Sequence, residues 1–200
     1  MPRPVLVVLV AATVLLALVP AAWSRTNPVE DYATYEPATA CRRVAQPGTV
    51  LLGRWIVRGY GGRFGSTVRP CGGSRSEHHE GRAFDWTVDV RRPADRARVR
   101  RLFADLFATD AAGNRHARAR RMGIMYVIWN DRIWSAWNGF RAEPYLSSSC
   151  PTLRRCSRTL RHQDHLHVSI SRAGAAGLTS WYVPRMEART GPLGPRICCG

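Results

Sequence analysis

Two short histidine-rich windows constrain this chain more than any other feature. The first runs from Ser76 to Asp85 and reads SEHHEGRAFD; the second runs from His162 to His167 and reads HQDHLH. Five of the six histidines in the 200 residues lie in these windows. A lone histidine is usually a surface or satisfied core residue, whereas clustered imidazoles and carboxylates supply metal ligands. We therefore expect a fold that brings the two windows together around a metal ion.

Strand periodicity suggests how the ligands converge. Residues 84–90 alternate, with Asp85 on the polar side, and residues 165–170 alternate, with His165 and His167 on one side. If the two strands are neighbours, Asp85 and His167 can meet, and His78 arrives from the preceding loop. Two imidazoles and one carboxylate suit Zn²⁺ and leave one position open for water. The expected metal ligands are therefore His78, Asp85 and His167.

The remaining periodicity predicts an α+β fold, with helices packed on a small antiparallel sheet. Thr49 is expected to cap a helix that Gly61 ends, and Pro93 is expected to open a second helix. A short helix is predicted over 116–122, a hairpin from strands over 124–129 and 133–137, and a long loop over 138–161. Strands joined by hairpins, with the helices segregated, are typical of the α+β class.

The first 24 residues have the layout of a secretory signal peptide. A short positive head precedes an apolar run from Val5 to Val19, and Ala22 and Ser24 offer the small residues of a cleavage site. The run is shorter than the roughly 20 residues of a spanning helix. We expect cleavage rather than a membrane anchor, and no stable membrane span afterwards. The predicted organisation is a signal peptide over 1–24, a linker over 25–40, a domain over 41–185 and a flexible tail over 186–200.

Export makes the six cysteines candidates for disulfides. The preferred pairs are Cys41–Cys71, which flanks the first predicted helix, and Cys150–Cys156, which lies within one loop. Other connectivities stay open. Cys198 and Cys199 lie in a tail rich in proline and glycine and have no predicted role.

The charge of the chain predicts a polyanionic partner. The formal net charge is +16 and every basic residue is arginine. The arginines are scattered rather than clustered with exposed aromatic residues, and the chain is expected to be exported, so specific nucleic-acid binding is disfavoured. Anionic polymers of a cell wall are the expected partners.

Several other residues that could be mistaken for functional ones are expected to have structural or surface positions instead. His79 and His116 are expected to face solvent. Glu80 is disfavoured as a general base because it lies in the loop between two ligands. The tryptophans are expected in the core rather than on a substrate platform: Trp86, Trp129, Trp134 and Trp137.

The spacing S-x-H-x-x-G-x-A-x-D from Ser76, followed by Asp164-His165-x-His167, resembles a superfamily of zinc peptidases. This superfamily joins lysostaphin-type enzymes, D-Ala-D-Ala carboxypeptidases and the hedgehog signalling domain. The resemblance covers roughly residues 41 to 182 and is strongest to secreted bacterial domains. It implies the hedgehog/DD-peptidase fold, and it implies zinc binding by His78, Asp85 and His167.

The same resemblance suggests catalytic residues but leaves the base open. The D-Ala-D-Ala carboxypeptidases carry a glutamate three residues before the last histidine, where this chain has the shorter Asp164. The penicillin-insensitive murein endopeptidases resemble His162-x-x-His165-x-His167 instead. Asp164 or His165 is thus the expected base, and His165 or His162 is expected to stabilise the oxyanion.

The resemblance implies a zinc hydrolase of peptidoglycan or other cell-wall peptide, acting as a carboxypeptidase or an endopeptidase. The predicted signal peptide adds that this hydrolase is secreted, and we expect it to be a monomer. The alternative is a catalytically silent, zinc-containing module that binds the cell wall or another ligand. The hedgehog domain shows that a relative can keep its metal while serving as a ligand domain.

Overall fold

Six strands form one antiparallel sheet in the computed structural model, which describes residues 29–190. The sheet order is β1-β2-β6-β3-β4-β5, so the two strands of the histidine windows are central neighbours. The mixed α+β class is confirmed. The strands are β1 (Arg63–Phe64), β2 (Ala83–Thr87), β3 (Ile124–Trp129), β4 (Arg132–Ser135), β5 (Ala142–Pro144) and β6 (Leu166–Ile170).

The α-helices are α1 (Pro47–Tyr60), α2 (Pro93–Leu106), α3 (Ala117–Arg121), α4 (Arg172–Ala176) and α5 (Val183–Thr190). Three short 3₁₀ turns cover Glu77–Glu80, Ala136–Asn138 and Leu153–Arg155. No helix among residues 29–190 is long and apolar enough to cross a membrane.

One face of the sheet is apolar and carries the core. Phe84 and Trp86 of β2 are fully buried, as are Leu166 and Val168 of β6. They belong to one hydrophobic cluster, which also contains Ile56 of α1. Since side chains alternate along a strand, Asp85 and His167 lie on the opposite face. Burial of the apolar face thus determines which side chains the other face presents.

The boundaries of the two long helices test the expected caps. Pro47 occupies the first turn of α1, where a missing N–H costs nothing, and Gln46 is the N-cap. The prediction that Thr49 caps this helix is wrong, because Thr49 is a fully buried helical residue. The predicted end of α1 at Gly61 and the predicted start of α2 at Pro93 are confirmed.

The shortest strands were not predicted from the sequence, and some predicted boundaries differ from the observed ones. β1 and β5 have two and three residues, too few for a periodic pattern, and β5 lies inside the predicted long loop. β2 ends at Thr87, before the predicted end at residue 90. Helix α5 extends to Thr190, into the segment predicted to be a flexible tail from residue 186.

Residues 29–40, within the predicted linker, have no helix or strand but pack on the domain. The Glu30 carboxylate accepts a hydrogen bond of 2.9 Å from the Ser180 hydroxyl, and Arg82 donates one of 2.8 Å to the carbonyl of Glu36. Ala38 is buried. This segment therefore forms part of the folded unit.

Both preferred disulfides are present, Cys41–Cys71 and Cys150–Cys156. The first joins the segment before α1 to the loop before His78, and the second closes a small loop before β6. The predicted signal peptide and the pair Cys198 and Cys199 lie outside the described residues.

Candidate metal centre

The structure explains why the first motif has these residue types at these positions. The Ser76 hydroxyl accepts a hydrogen bond from the backbone N–H of His78 and caps the 3₁₀ turn that carries the imidazole. Gly81 ends that turn with φ +67°, where a Cβ atom would lie 2.0 Å from the carbonyl oxygen of Val44. Ala83 is fully buried at the start of β2, two residues before Asp85. Hence the motif aims His78 toward Asp85 through a turn that only glycine can end.

Three potential ligand atoms converge on one point. His78 Nε2 lies 3.0 Å from Asp85 Oδ1, and His167 Nδ1 lies 3.0 Å from the same oxygen. The two nitrogens are 3.3 Å apart. A tetrahedral zinc ion with bonds near 2.0–2.1 Å would separate its ligand atoms by about 3.3 Å, so these distances suit an ion with little movement. The group His78, Asp85 and His167 could therefore hold a metal ion.

The sheet register produces this convergence. Asp85 of β2 is the antiparallel partner of His167 of β6, so their side chains rise side by side. His78 is fully buried and closes the third side. The conditional prediction that Asp85 and His167 meet is confirmed by the pairing of β2 with β6.

The local environment favours the protonation states that a metal requires. Burial alone would raise the pKa of Asp85, but hydrogen bonds with His167 and His78 outweigh burial and hold that pKa below its ordinary value. Burial lowers the pKa of His167, against the opposing effect of Asp85. A charged carboxylate and a neutral imidazole are the forms that coordinate metals.

A buried row of hydrogen-bonded side chains, which was not predicted from the sequence, contacts the nitrogen of His167 that faces away from the other two ligands. His167 Nε2 lies 2.8 Å from the hydroxyl of Ser169, whose oxygen is 3.5 Å from Glu77 Oε2. The Tyr126 hydroxyl donates a hydrogen bond of 2.6 Å to the same carboxylate oxygen. If Nε2 carries the proton and donates it to Ser169, then Nδ1 is free to coordinate. Ser169 lies two residues after His167 on β6, so strand alternation puts both side chains on one face. That alternation was the one sequence signal that could have revealed this row of hydrogen bonds.

The second histidine window places an imidazole beside the metal centre and a carboxylate behind that imidazole. His165 Nε2 lies 3.7 Å from Asp85 Oδ1, while His165 Nδ1 lies 2.8 Å from Asp164 Oδ1. The other oxygen of Asp164 accepts a hydrogen bond of 2.6 Å from Thr159. Asp164 thus orients His165 and does not itself face the three ligands.

His162 lies beside His165 in the same cleft. Its ring centroid is 4.7 Å from that of His165 and 5.6 Å from that of His167. Burial lowers the pKa of His162 to about 2, so this imidazole is neutral. The three predicted catalytic residues, His162, Asp164 and His165, therefore all lie close to the metal centre.

The cleft above these residues has a volume of about 160 Å³ and a polar lining that includes Arg69, Arg75 and Tyr145. The guanidinium groups of Arg69 and Arg75 make no hydrogen bond or ion pair within residues 29–190, so they can face an incoming anion. A larger apolar groove of about 870 Å³ is lined by α1, α5 and residues near them, and no residue of the metal centre contributes to it. The candidate metal centre therefore opens into the smaller cleft.

Two expectations about other histidine and tryptophan residues are wrong, and a third is met in part. His79 is 7% exposed and does not face solvent, and its backbone carbonyl accepts a hydrogen bond from the backbone N–H of Arg42. His116 is partly exposed, as expected for a surface residue, but its Nδ1 lies 2.8 Å from the Tyr32 hydroxyl. Trp137 is 49% exposed rather than part of the core, whereas Trp86 and Trp129 are buried as expected.

Glu80 is not available as a general base. Its carboxylate pairs with Arg82 at 2.7 Å and accepts a hydrogen bond of 2.8 Å from the Thr39 backbone N–H. Burial would raise its pKa, but these contacts lower that pKa to about 2. Glu80 therefore fastens residues 39–40 to the domain.

Comparison with known proteins identifies a family that this chain matches. Residues 41–152 match the family described as VldE, C-terminal domain, over more than half of the chain. The chain belongs to this family. The matched range of the VldE C-terminal domain includes His78 and Asp85 and ends before His162, His165 and His167. No curated protein and no solved structure matches the chain.

Proposed function

We propose that this protein is a secreted zinc hydrolase that cleaves peptidoglycan peptide. The observation that carries the proposal is the convergence of His78, Asp85 and His167, with the imidazole of His165 beside them. Three protein ligands with one side left open are the arrangement of catalytic rather than structural zinc sites. A structural site would use a fourth protein ligand instead.

The donor set supports zinc among the divalent metals. Two neutral imidazoles and one carboxylate suit zinc better than the all-oxygen shells of Ca²⁺ or Mg²⁺. A bound zinc ion would lower the pKa of a water ligand to about 7 and polarise a peptide carbonyl. His78, Asp85 and His167 would hold the ion, and Ser169 would hold the ring of His167 in place.

His165 is the proposed general base. Its Nε2 is directed toward the metal centre, where it can take the proton of the attacking water and pass it to the leaving amine. Asp164 keeps the proton of His165 on Nδ1 and so leaves Nε2 free to accept. The neutral ring of His162 can donate a hydrogen bond to the developing oxyanion.

The substrate assignment draws on location and charge. The motif resembles that of zinc peptidases of the bacterial cell wall. Two disulfides are compatible with an extracellular protein, as the apolar segment from Val5 to Val19 predicts. A net charge of +16 would hold a monomer against anionic wall polymers.

The proposal is tested by His78→Ala, with His116→Ala as the control because His116 lies outside the metal centre. We expect the wild type and the control to contain one zinc per chain and to release shortened muropeptides from purified peptidoglycan. His78→Ala should lose both the metal and the cleavage. Elemental analysis and mass spectrometry of the digest measure these quantities, and full cleavage by His78→Ala would refute the zinc mechanism.

A zinc-containing binding module is the second candidate. It is favoured by Asp164, whose carboxylate is engaged by Thr159 and His165 and lies where D-Ala-D-Ala carboxypeptidases carry a glutamate base. The same digestion separates the candidates. Stoichiometric zinc with intact muropeptides after prolonged incubation, together with sedimentation of the protein with wall fragments, would establish the binding module.

A further inference from the structure

An exposed pair of aromatic rings lies beside the metal centre, and we call Tyr35 and Trp137 the aromatic ledge. Tyr35 is 55% exposed and Trp137 is 49% exposed, with their ring centroids 5.8 Å apart. The two residues are distant in sequence: Tyr35 precedes α1, and Trp137 lies in the turn after β4. Large aromatic surface left in water is unfavourable, so an exposed pair of this kind often marks a binding site.

The aromatic ledge is continuous with the metal centre through a single ring. The Tyr126 centroid lies 6.4 Å from that of Tyr35 and 6.1 Å from that of Trp137. The same Tyr126 ring stacks on His167 at 5.7 Å, with an angle of 21° between the planes. A sufficiently long molecule bound over the metal centre can therefore reach the aromatic ledge past Tyr126.

The aromatic ledge is held rigidly from both sides. Trp137 occupies a 3₁₀ turn that is closed by a 2.9 Å hydrogen bond from the Gly139 N–H to the Ala136 carbonyl. Tyr35 precedes Glu36, whose carbonyl accepts a 2.8 Å hydrogen bond from the buried Arg82. A preformed surface loses little conformational entropy when a ligand binds.

Polar groups border the aromatic ledge. Trp137 also lines a pocket of about 340 Å³, to which Asn138, Arg115 and Arg141 contribute. Within residues 29–190, neither the Arg115 nor the Arg141 guanidinium has a hydrogen bond or an ion pair. The border thus offers free donors next to two exposed aromatic rings, whose planes meet at 61°.

We propose that the aromatic ledge binds a sugar ring of the glycan strand attached to the substrate peptide. A pyranose ring presents an apolar face of C–H groups and an edge of hydroxyl and amide groups, which matches aromatic rings bordered by donors. An apolar peptide side chain would be served better by an enclosed pocket than by half-exposed rings. The identification of the glycan rests on the proposed function, whereas sugar binding can be measured without it.

The direct test titrates the full chain with a soluble tetramer of N-acetylglucosamine by isothermal calorimetry. Trp137→Ala and Tyr35→Ala should each weaken binding by about fivefold or more, since a ring contact contributes on the order of 1 kcal/mol. Trp137→Phe, which keeps a ring, should recover part of the affinity. Leu178→Ala is the matched control, because Leu178 is 71% exposed and lies outside the aromatic ledge.

A second test compares hydrolysis of a stem peptide with and without its disaccharide. Wild type and Leu178→Ala should have a higher kcat/KM for the glycosylated peptide, and Trp137→Ala should reduce that preference toward unity. Tetramer binding that depends on Trp137, without hydrolysis of either peptide, would support the aromatic ledge and refute the hydrolase. Absence of tetramer binding, or equal binding by wild type and a folded Trp137→Ala, would overturn the aromatic ledge.

Discussion

Glu77 places a carboxylate in the protein interior directly behind the candidate metal centre. It is 3% exposed, and the hydroxyls of Tyr126 and Ser169 are its side-chain contacts. Burying a charge is costly unless another charge compensates it. Glu77 and Asp85 are two carboxyl groups at the candidate centre, and a bound dication would compensate the charge of two carboxylates there. We infer that Glu77 adjusts metal affinity through Ser169 and His167 without contacting the ion.

At the residue scale, Glu77→Gln should reduce zinc affinity by about 10- to 100-fold, as changes to the groups behind metal ligands commonly do. The substitution keeps the size of the side chain and removes its charge. Glu143→Gln, on the exposed strand β5, is the control and should bind zinc as the wild type does. Competition with a chromogenic chelator measures the affinity, and equal affinities for the two variants would show that Glu77 has no such role.

At the scale of elements, the disulfide Cys41–Cys71 closes a loop that contains all of α1 and β1. The bridge spans a sequence separation of 30 residues, against 6 for Cys150–Cys156. It ties the loop before Ser76 to the segment that meets His79 and Gly81 through backbone hydrogen bonds from Arg42 and Gln46. The 3₁₀ turn that carries His78 is therefore braced from both directions.

Removal of the longer bridge should cost more stability. Chain-entropy arguments give about 3–4 kcal/mol for Cys41→Ser with Cys71→Ser, and about 2 kcal/mol for Cys150→Ser with Cys156→Ser. Denaturant unfolding of the two double variants measures the difference. We also expect weaker zinc binding in the first variant alone, and the opposite order of stabilities would contradict this account of the bridges.

At the scale of the whole molecule, a metal ion at this position would link the central strands β2 and β6 to the turn before β2. A ligand that binds only the folded state stabilises that state. The net charge of +16 acts in the opposite direction, because mutual repulsion disfavours a compact chain. Metal binding and folding should therefore be coupled.

Removal of the metal should lower the melting temperature. Zinc at 100 times its dissociation constant stabilises a folded protein by about 2.7 kcal/mol. For a chain of this size, each kcal/mol corresponds to roughly 2–4 °C. Thermal melts with zinc and with excess chelator measure the shift, and His78→Ala should melt at one temperature in both. An identical shift in His78→Ala would locate the responsible metal elsewhere.

Local patterns in the sequence identified the residues of the metal centre but not its surroundings. Ser76, His78, Gly81 and Asp85 lie within one turn and one strand, so their spacing reflects their geometry. Glu77 and Tyr126, in contrast, are 49 positions apart and meet through a hydrogen bond that no spacing reveals. Tryptophan is a large apolar residue and was therefore expected in the core. Trp137 is exposed instead, and it lies in the turn after β4.

By itself, the sequence determined the alternation that puts Asp85 and His167 on polar strand faces, the helix end at Gly61, and an α+β class, because these depend on neighbouring residues. Tertiary structure alone decided that β6 inserts between β2 and β3, and that Asp85 pairs with His167. It also decided that Glu77, Ser169 and the aromatic ledge surround them. Strand order and register depend on burying the whole apolar face at once, and a global packing requirement of that kind leaves no local signature.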